Sequence, residues 1–101
     1  MLVVAGSVRI DPARREEALR AALEMMEATR REAGCRAYTL SADLADPGRF
    51  HLFEEWDSPE ALAAHFATPH MARFQQALGG LGVRELAVQR YEVASVGPLR
   101  P

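Results

Sequence analysis

Lysine and asparagine are absent from this 101-residue chain, and cysteine and tryptophan occur once each. Without asparagine, any mechanism that needs that side chain is closed. A lone cysteine, Cys35, cannot form an intrachain disulfide, which points to a reducing compartment and a cytoplasmic location. Arg36 is the only positive charge beside it, so Cys35 is a weak nucleophile. No apolar run nears the ~20 residues that a membrane-spanning helix needs. The opening MLVVAGSVRIDPARREE has no basic start and no cleavage site after a long apolar core, so no signal peptide is expected. Twelve basic and fourteen acidic residues are mixed along the chain and leave a net charge of −2. That excludes the clustered basic face that nucleic acid requires. GxGxxG, Walker, CxxC, HxH and HExxH sequences are all missing, and with them the usual signals for a nucleotide, a flavin or a metal.

What is present suits one globular domain: 49% hydrophobic and 26% charged residues, well mixed. Residues 1–96 read as a single domain and 97–101 as a tail. A domain this small buries only ~60–65% of its unfolded surface, so its own core is thin and association is a common remedy.

Period-two alternation makes Leu2 to Ile10 a strand, with Leu2, Val4, Val8 and Ile10 on one face and Val3 and Ala5 on the other. Asp11-Pro12 is an N-cap followed by proline, opening a helix whose stripe is Leu19, Ala22, Leu23, Met26 and Thr29. Glu16–Arg20, Arg20–Glu24 and Glu27–Arg31 have i,i+4 spacing opposite that stripe, and Gly34 stops the helix. Cys35–Ala42 and Arg49–Trp56 form a hairpin across Ala45-Asp46-Pro47-Gly48. Ser58-Pro59 and Thr68-Pro69 repeat the cap-then-proline device and open two short helices, to Ala67 and Leu78. Arg84 to Ser95 is the last strand.

The order β-α-β-β-α-(α)-β predicts an α+β, ferredoxin-like fold with an antiparallel sheet covered by helices on one face. The opposite face should alternate to polar residues if it meets water. Instead Val3, Ala5, Phe53, Ala87, Tyr91 and Val93 fall there. A sheet apolar on both faces needs a second cover, and a homodimer packed sheet to sheet supplies one.

Chemistry concentrates in Phe50–Phe74, FHLFEEWDSPEALAAHFATPHMARF, which holds all three histidines, the tryptophan and all four phenylalanines. His65 and His70 are five apart across the Thr68-Pro69 break, which is not the i,i+4 spacing of a helical metal pair, so no metal site is expected. Leu62, Phe66, Phe74 and Leu78 have core spacing. Trp56 suits a wedge under the next helix or a pocket wall. His65, next to the core stripe, suits a hydrogen-bonded structural residue or a proton-transfer group.

The segments VVAGSVRI, DPARREEAL, EAGCRAYTL, DPGRFHLFEEWDSPEALAAHFATPHMARF and VQRYEV resemble the antibiotic biosynthesis monooxygenase domain family, over about residues 2–94. EEW followed, eight residues on, by HFATPHM looks most like its quinol monooxygenases. The resemblance implies a dimeric α+β barrel with a pocket between sheet and helices. It implies oxidation of a quinol, polyphenol or related small aromatic by O₂ without flavin, haem or metal. By resemblance Trp56 matches the pocket tryptophan of anthrone-oxidising members, whose asparagine and tyrosine fall on Leu52 and Leu62. The asparagine, tryptophan and histidine of haem-degrading relatives fall on Ser7, His65 and Gln75, which disfavours haem degradation. The expected pocket therefore comprises Trp56, Leu52, Leu62, Phe66, His51, His70 and Ser7, with His65 as the proton-transfer residue, whose removal should cost turnover but little stability. A non-catalytic, small-molecule-binding or stress-responsive dimer is the alternative from another class.

Overall fold

Leu2, Val4 and Val8 of β1 (Leu2–Arg9) point to the same side as Phe50, Leu52, Glu54 and Trp56 of β3 (Arg49–Trp56), because the antiparallel register sets Leu2 opposite Trp56 and Val8 opposite Phe50. In the computed structural model, which describes residues 1–100, β2 (Cys35–Ala42) pairs with β3, and β4 (Glu85–Glu92) pairs with the far edge of β1. The sheet order is β2-β3-β1-β4, antiparallel throughout, as the ferredoxin-like reading requires. Three helices lie on one face: α1 (Arg15–Thr29), α2 (Pro59–Phe66) and α3 (Pro69–Gly79). Of the tail at 97–101, Pro101 lies outside the described residues.

Two clusters fill the space between sheet and helices. Leu2, Met25, Tyr38, Trp56 and Leu62 form one, and Ile10, Ala18, Phe50 and Leu81 the other. Of the expected α1 stripe, Ala22 and Thr29 are buried and Leu19 and Met26 pack against the two clusters, so only Leu23 departs from it. Ala18, Ala22, Met25 and Thr29 face inward, while Leu23 is 63% exposed. The α-helix starts at Arg15 and not at Pro12. Asp11 Oδ1 accepts from the Ala13 N–H at 3.0 Å and holds a tight 3₁₀ turn over Pro12–Arg14 that precedes it. Glu27 pairs with Arg31 as expected (2.8 Å), but Glu24 turns to Arg73 of α3 (3.0 Å). Phe66, read as core, is 58% exposed.

The helix-free face carries Val3, Ala5, Phe53, Ala87 and Tyr91, with Phe53 and Tyr91 43% and 48% exposed. No helix of the described residues is long and apolar enough to cross a membrane.

The junction between α1 and β2 is packed tightly against α2. After α1 the chain turns through Arg30–Gly34, where Gly34 has φ +83°. A Cβ there would sit 2.6 Å from the Ala61 Cβ of α2, so glycine is needed for its backbone angle and for its size. This close approach sets the turn residue Glu32 against the buried side of α2.

Candidate active site

α2 starts where Ser58 Oγ accepts from the Ala61 N–H (3.1 Å) and Pro59 takes a first-turn position. Its two buried residues, Leu62 and His65, are three apart and therefore share one face. Thr68 then ties the two short helices together. Its hydroxyl donates to the His65 carbonyl (2.8 Å) and accepts from the Met71 N–H (3.2 Å), capping α3. The reversal at Thr68-Pro69 brings His70 back beside His65, with ring centroids 6.0 Å apart.

Both imidazoles meet the same carboxylate oxygen. His65 Nδ1 and His70 Nε2 each lie 2.7 Å from Glu32 Oε2. Three donor atoms within 4.8 Å of one another are the right kinds for a divalent ion. The spacing is nevertheless that of hydrogen bonds, since ligands about 2.1 Å from a tetrahedral ion would stand about 3.4 Å apart. An ionised carboxylate can only accept, so Glu32 receives an N–H from each ring. His65 then carries its proton on Nδ1 and its lone pair on Nε2. The linear spacing hid this trio because a reversing helix pair, rather than one helix turn, brings the rings together.

His65 is 2% exposed and packs among aromatic rings: Trp56 at 4.8 Å between centroids, Tyr38 and Phe66 at 5.8 Å. It lines a cleft of about 270 Å³ with Tyr38, Leu52, Glu54, Leu62 and Phe66. Leu86 and Val88 of β4 complete the wall, and Leu86 is 67% exposed at its rim.

Glu54 is a residue that the sequence reading missed. It is 5% exposed, and the Trp56 indole N–H donates to its Oε1 at 2.7 Å. Burial pushes its carboxyl above the usual carboxylate range, opposed by the indole hydrogen bond and by His65 and reinforced by Glu32. Burial, then the charge of Glu54, likewise raises the Tyr38 phenol. A signal for Glu54 was available. It has the parity of Phe50, Leu52 and Trp56, so a strand that buries those three must turn it inward. Glu32 had no comparable signal, being in an irregular turn.

The remaining expected residues lie elsewhere. Trp56 is fully buried beneath the cleft and reaches it through Glu54 and His65. Ser7 and His51 are directly paired across β1 and β3 but face the helix-free side, because their parity is opposite to that of Val8 and Leu52. Ser7 Oγ accepts from Arg49 (2.9 Å), and His51 Nε2 bonds Asp43 Oδ1 (2.7 Å). That bond, with two backbone N–H donors, lowers the exposed Asp43 carboxyl to about 2. His70 meets the cleft only through Glu32.

Comparison with known proteins agrees with this fold. Residues 1–77 match the family described as Antibiotic biosynthesis monooxygenase. "Putative monooxygenase Rv0793" of Mycobacterium tuberculosis is 43% identical over 72 residues, 70% of each chain. "Probable quinol monooxygenase YgiN" of Escherichia coli is 29% identical over 90 residues, covering 79% of this chain and 86% of that protein. A solved structure from Deinococcus radiodurans, described as a "putative antibiotic biosynthesis monooxygenase", superimposes with a TM-score of 0.91 at 29% identity over all of both chains.

Proposed function

This chain belongs to the antibiotic biosynthesis monooxygenase family, and from that premise we propose that it oxidises a quinol, polyphenol or related small electron-rich aromatic with O₂, without a cofactor. The observation that carries the reading is His65: a buried imidazole whose Nδ1 is fixed by Glu32, leaving Nε2 as its basic nitrogen, in the wall of a mainly apolar cleft that it shares with Glu54. Removing an acidic proton from the substrate gives an anion rich enough in electrons to reduce O₂, and a dry site raises that anion's reactivity. The balance needs no external reductant. One oxygen atom enters the product, the other leaves as water, and the substrate supplies all four electrons. The cleft, about 270 Å³, is near the lower end of ligand pockets, ~300–1,000 Å³, so it suits a small ring system.

The working unit in this reading is a homodimer. The apolar, helix-free face of the sheet, with Phe53 and Tyr91 exposed, pairs with the same face of a second copy.

Oxygen uptake by the purified protein with hydroquinones and anthrones, nothing else added, tests the function. Uptake matched by product carrying one ¹⁸O atom from labelled O₂ is the expected result. No uptake above the uncatalysed rate across the panel would refute it.

A further inference from the structure

The cleft holds a second proton-transfer candidate, one with no part in the proton abstraction assigned to His65. Glu54 comes from β3 and His65 from α2, and both side chains line the same space. Trp56 occupies Oε1 of Glu54 and so fixes the carboxyl plane, leaving Oε2 free of that bond. No arginine pairs with Glu54 among the described residues, although arginines pair with Glu17, Glu24, Glu27 and Glu85. Its titratable neighbours are Cys35 and Tyr38 on β2, His65 on α2 and Glu32 in the turn, and none is a permanent cation. A buried carboxyl without a cation is held most easily as the neutral acid, and a neutral carboxyl donates a hydrogen bond where an ionised one only accepts.

We propose that Glu54 is the acid of the site: its carboxyl delivers the proton to the departing oxygen when the substrate hydroperoxide breaks down, while His65 removes the proton from the carbon that bears it. This assignment rests on the monooxygenase reading. The proton that His65 first took from the substrate passes to the terminal peroxide oxygen once O₂ has added. His65 Nε2 is then free to take the C–H proton, and the electron pair of that bond becomes the second bond of the new carbonyl. The O–O bond breaks, and the departing hydroxide takes the Glu54 proton and leaves as water. Carbon is oxidised and the distal oxygen reduced. Transfer of the proton from His65 to Glu54 through water restores both groups.

The test separates oxygen uptake from product formation in single turnovers with an anthrone, using wild type, Glu54→Gln and His65→Gln. The wild type is expected to form ketone as fast as it consumes O₂. His65→Gln should slow both together. Glu54→Gln should consume O₂ but form ketone about 10²-fold or more slowly, the scale of one general acid, with a hydroperoxide accumulating. Ketone formed by a folded Glu54→Gln protein at the wild-type rate would overturn the Glu54 assignment alone. Absence of oxygen uptake by the wild type with every hydroquinone and anthrone of the panel would overturn it together with the function. Should Glu54→Gln not fold, Trp56 carries the test as the only tryptophan, because its N–H bonds this carboxyl. In a His65→Gln background, Trp56 emission should then titrate above the ordinary carboxylate range. A midpoint near the unperturbed value of ~4.3 would overturn the assignment.

Discussion

Replacing His65 with alanine tests two roles at once, and the structure allows them to be separated. His65 is 2% exposed, packs on Trp56 and donates to Glu32. Truncation therefore leaves a cavity among aromatic rings and removes one of two N–H donors from Glu32. Large-to-small changes at such sites cost about 2–5 kcal/mol, and losing a hydrogen bond to a charged group adds to this. At about 4–8 °C per kcal/mol for a domain of this size, His65→Ala should melt some ~15–25 °C lower than wild type. The expectation from sequence was that the change would spare stability; the burial of His65 and its bond to Glu32 predict a loss instead. His65→Gln is the informative partner. Its amide N–H can still reach Glu32 and it restores much of the volume, so it should lose only about 1 kcal/mol. It offers no titratable nitrogen, so turnover should fall by ~10²–10⁴-fold. Circular dichroism melts, with turnover measured per folded protein well below both midpoints, make the comparison. A folded His65→Gln protein turning over at the wild-type rate would refute the base assignment.

Named contacts give four further expected outcomes. Glu32→Ala strips the shared acceptor from two rings and should destabilise by about 2–4 kcal/mol, since each buried N–H left unpaired costs about 1–3 kcal/mol; calorimetry checks it, and turnover should fall as His65 loses its fixed tautomer. Phe53→Asp places a charge in the centre of the helix-free face and should convert a dimer to monomer or unfolded chain in sedimentation velocity. His51→Ala should leave turnover per folded protein unchanged, because His51 faces away from the cleft; loss of turnover in oxygen-uptake assays would contradict that placement. Glu54 makes stability depend on pH with a definite sign. Its folded carboxyl keeps a proton that the unfolded chain has already lost, so stability falls as pH rises from the ordinary carboxylate value through the raised one. Glu54→Gln should remove that decline, and melting temperatures from pH 4 to 8 should show its advantage over wild type growing with pH.

Elements announced by local chemistry were legible in the sequence. Ser58-Pro59 and Thr68-Pro69 open their helices where expected, and alternation in β1 and β3 separated the two faces correctly. In α1 the apolar pattern placed Leu23 inward, where it is exposed, and left out Ala18 and Met25, because so many residues of this helix are apolar that spacing alone does not fix the edges of the stripe. In the site, His65, Leu52, Leu62 and Phe66 gather on one cleft. Ser7 and His51 came from family correspondence and chain proximity, neither of which records the face of a strand. Parity would have excluded both and included Glu54. The Glu32 trio lay beyond any such rule, because it needs the close approach of α2 to the turn at Gly34.

Proton handling in this cleft is bound up with the packing of its core. Leu52 and Leu62 give the cleft apolar wall on the sheet and on α2. The polar side chains that remain are few: His65, Glu54, the Tyr38 phenol and Gln75 at the edge. Each of the first two is fixed by one neighbour outside the cleft, Glu32 for His65 and Trp56 for Glu54. An aromatic substrate must therefore be oriented mainly by shape, with polar recognition left to groups that also move protons. Such a site discriminates weakly between rings of similar size, since a methylene more or less is worth only about 1–3 kcal/mol in an apolar pocket. In the reaction proposed above it should discriminate sharply between substrates that can and cannot present an acidic proton to His65 Nε2. Methylating the acidic hydroxyl of an otherwise accepted quinol should accordingly abolish oxygen uptake, whereas adding a methyl to its ring should change the rate only modestly.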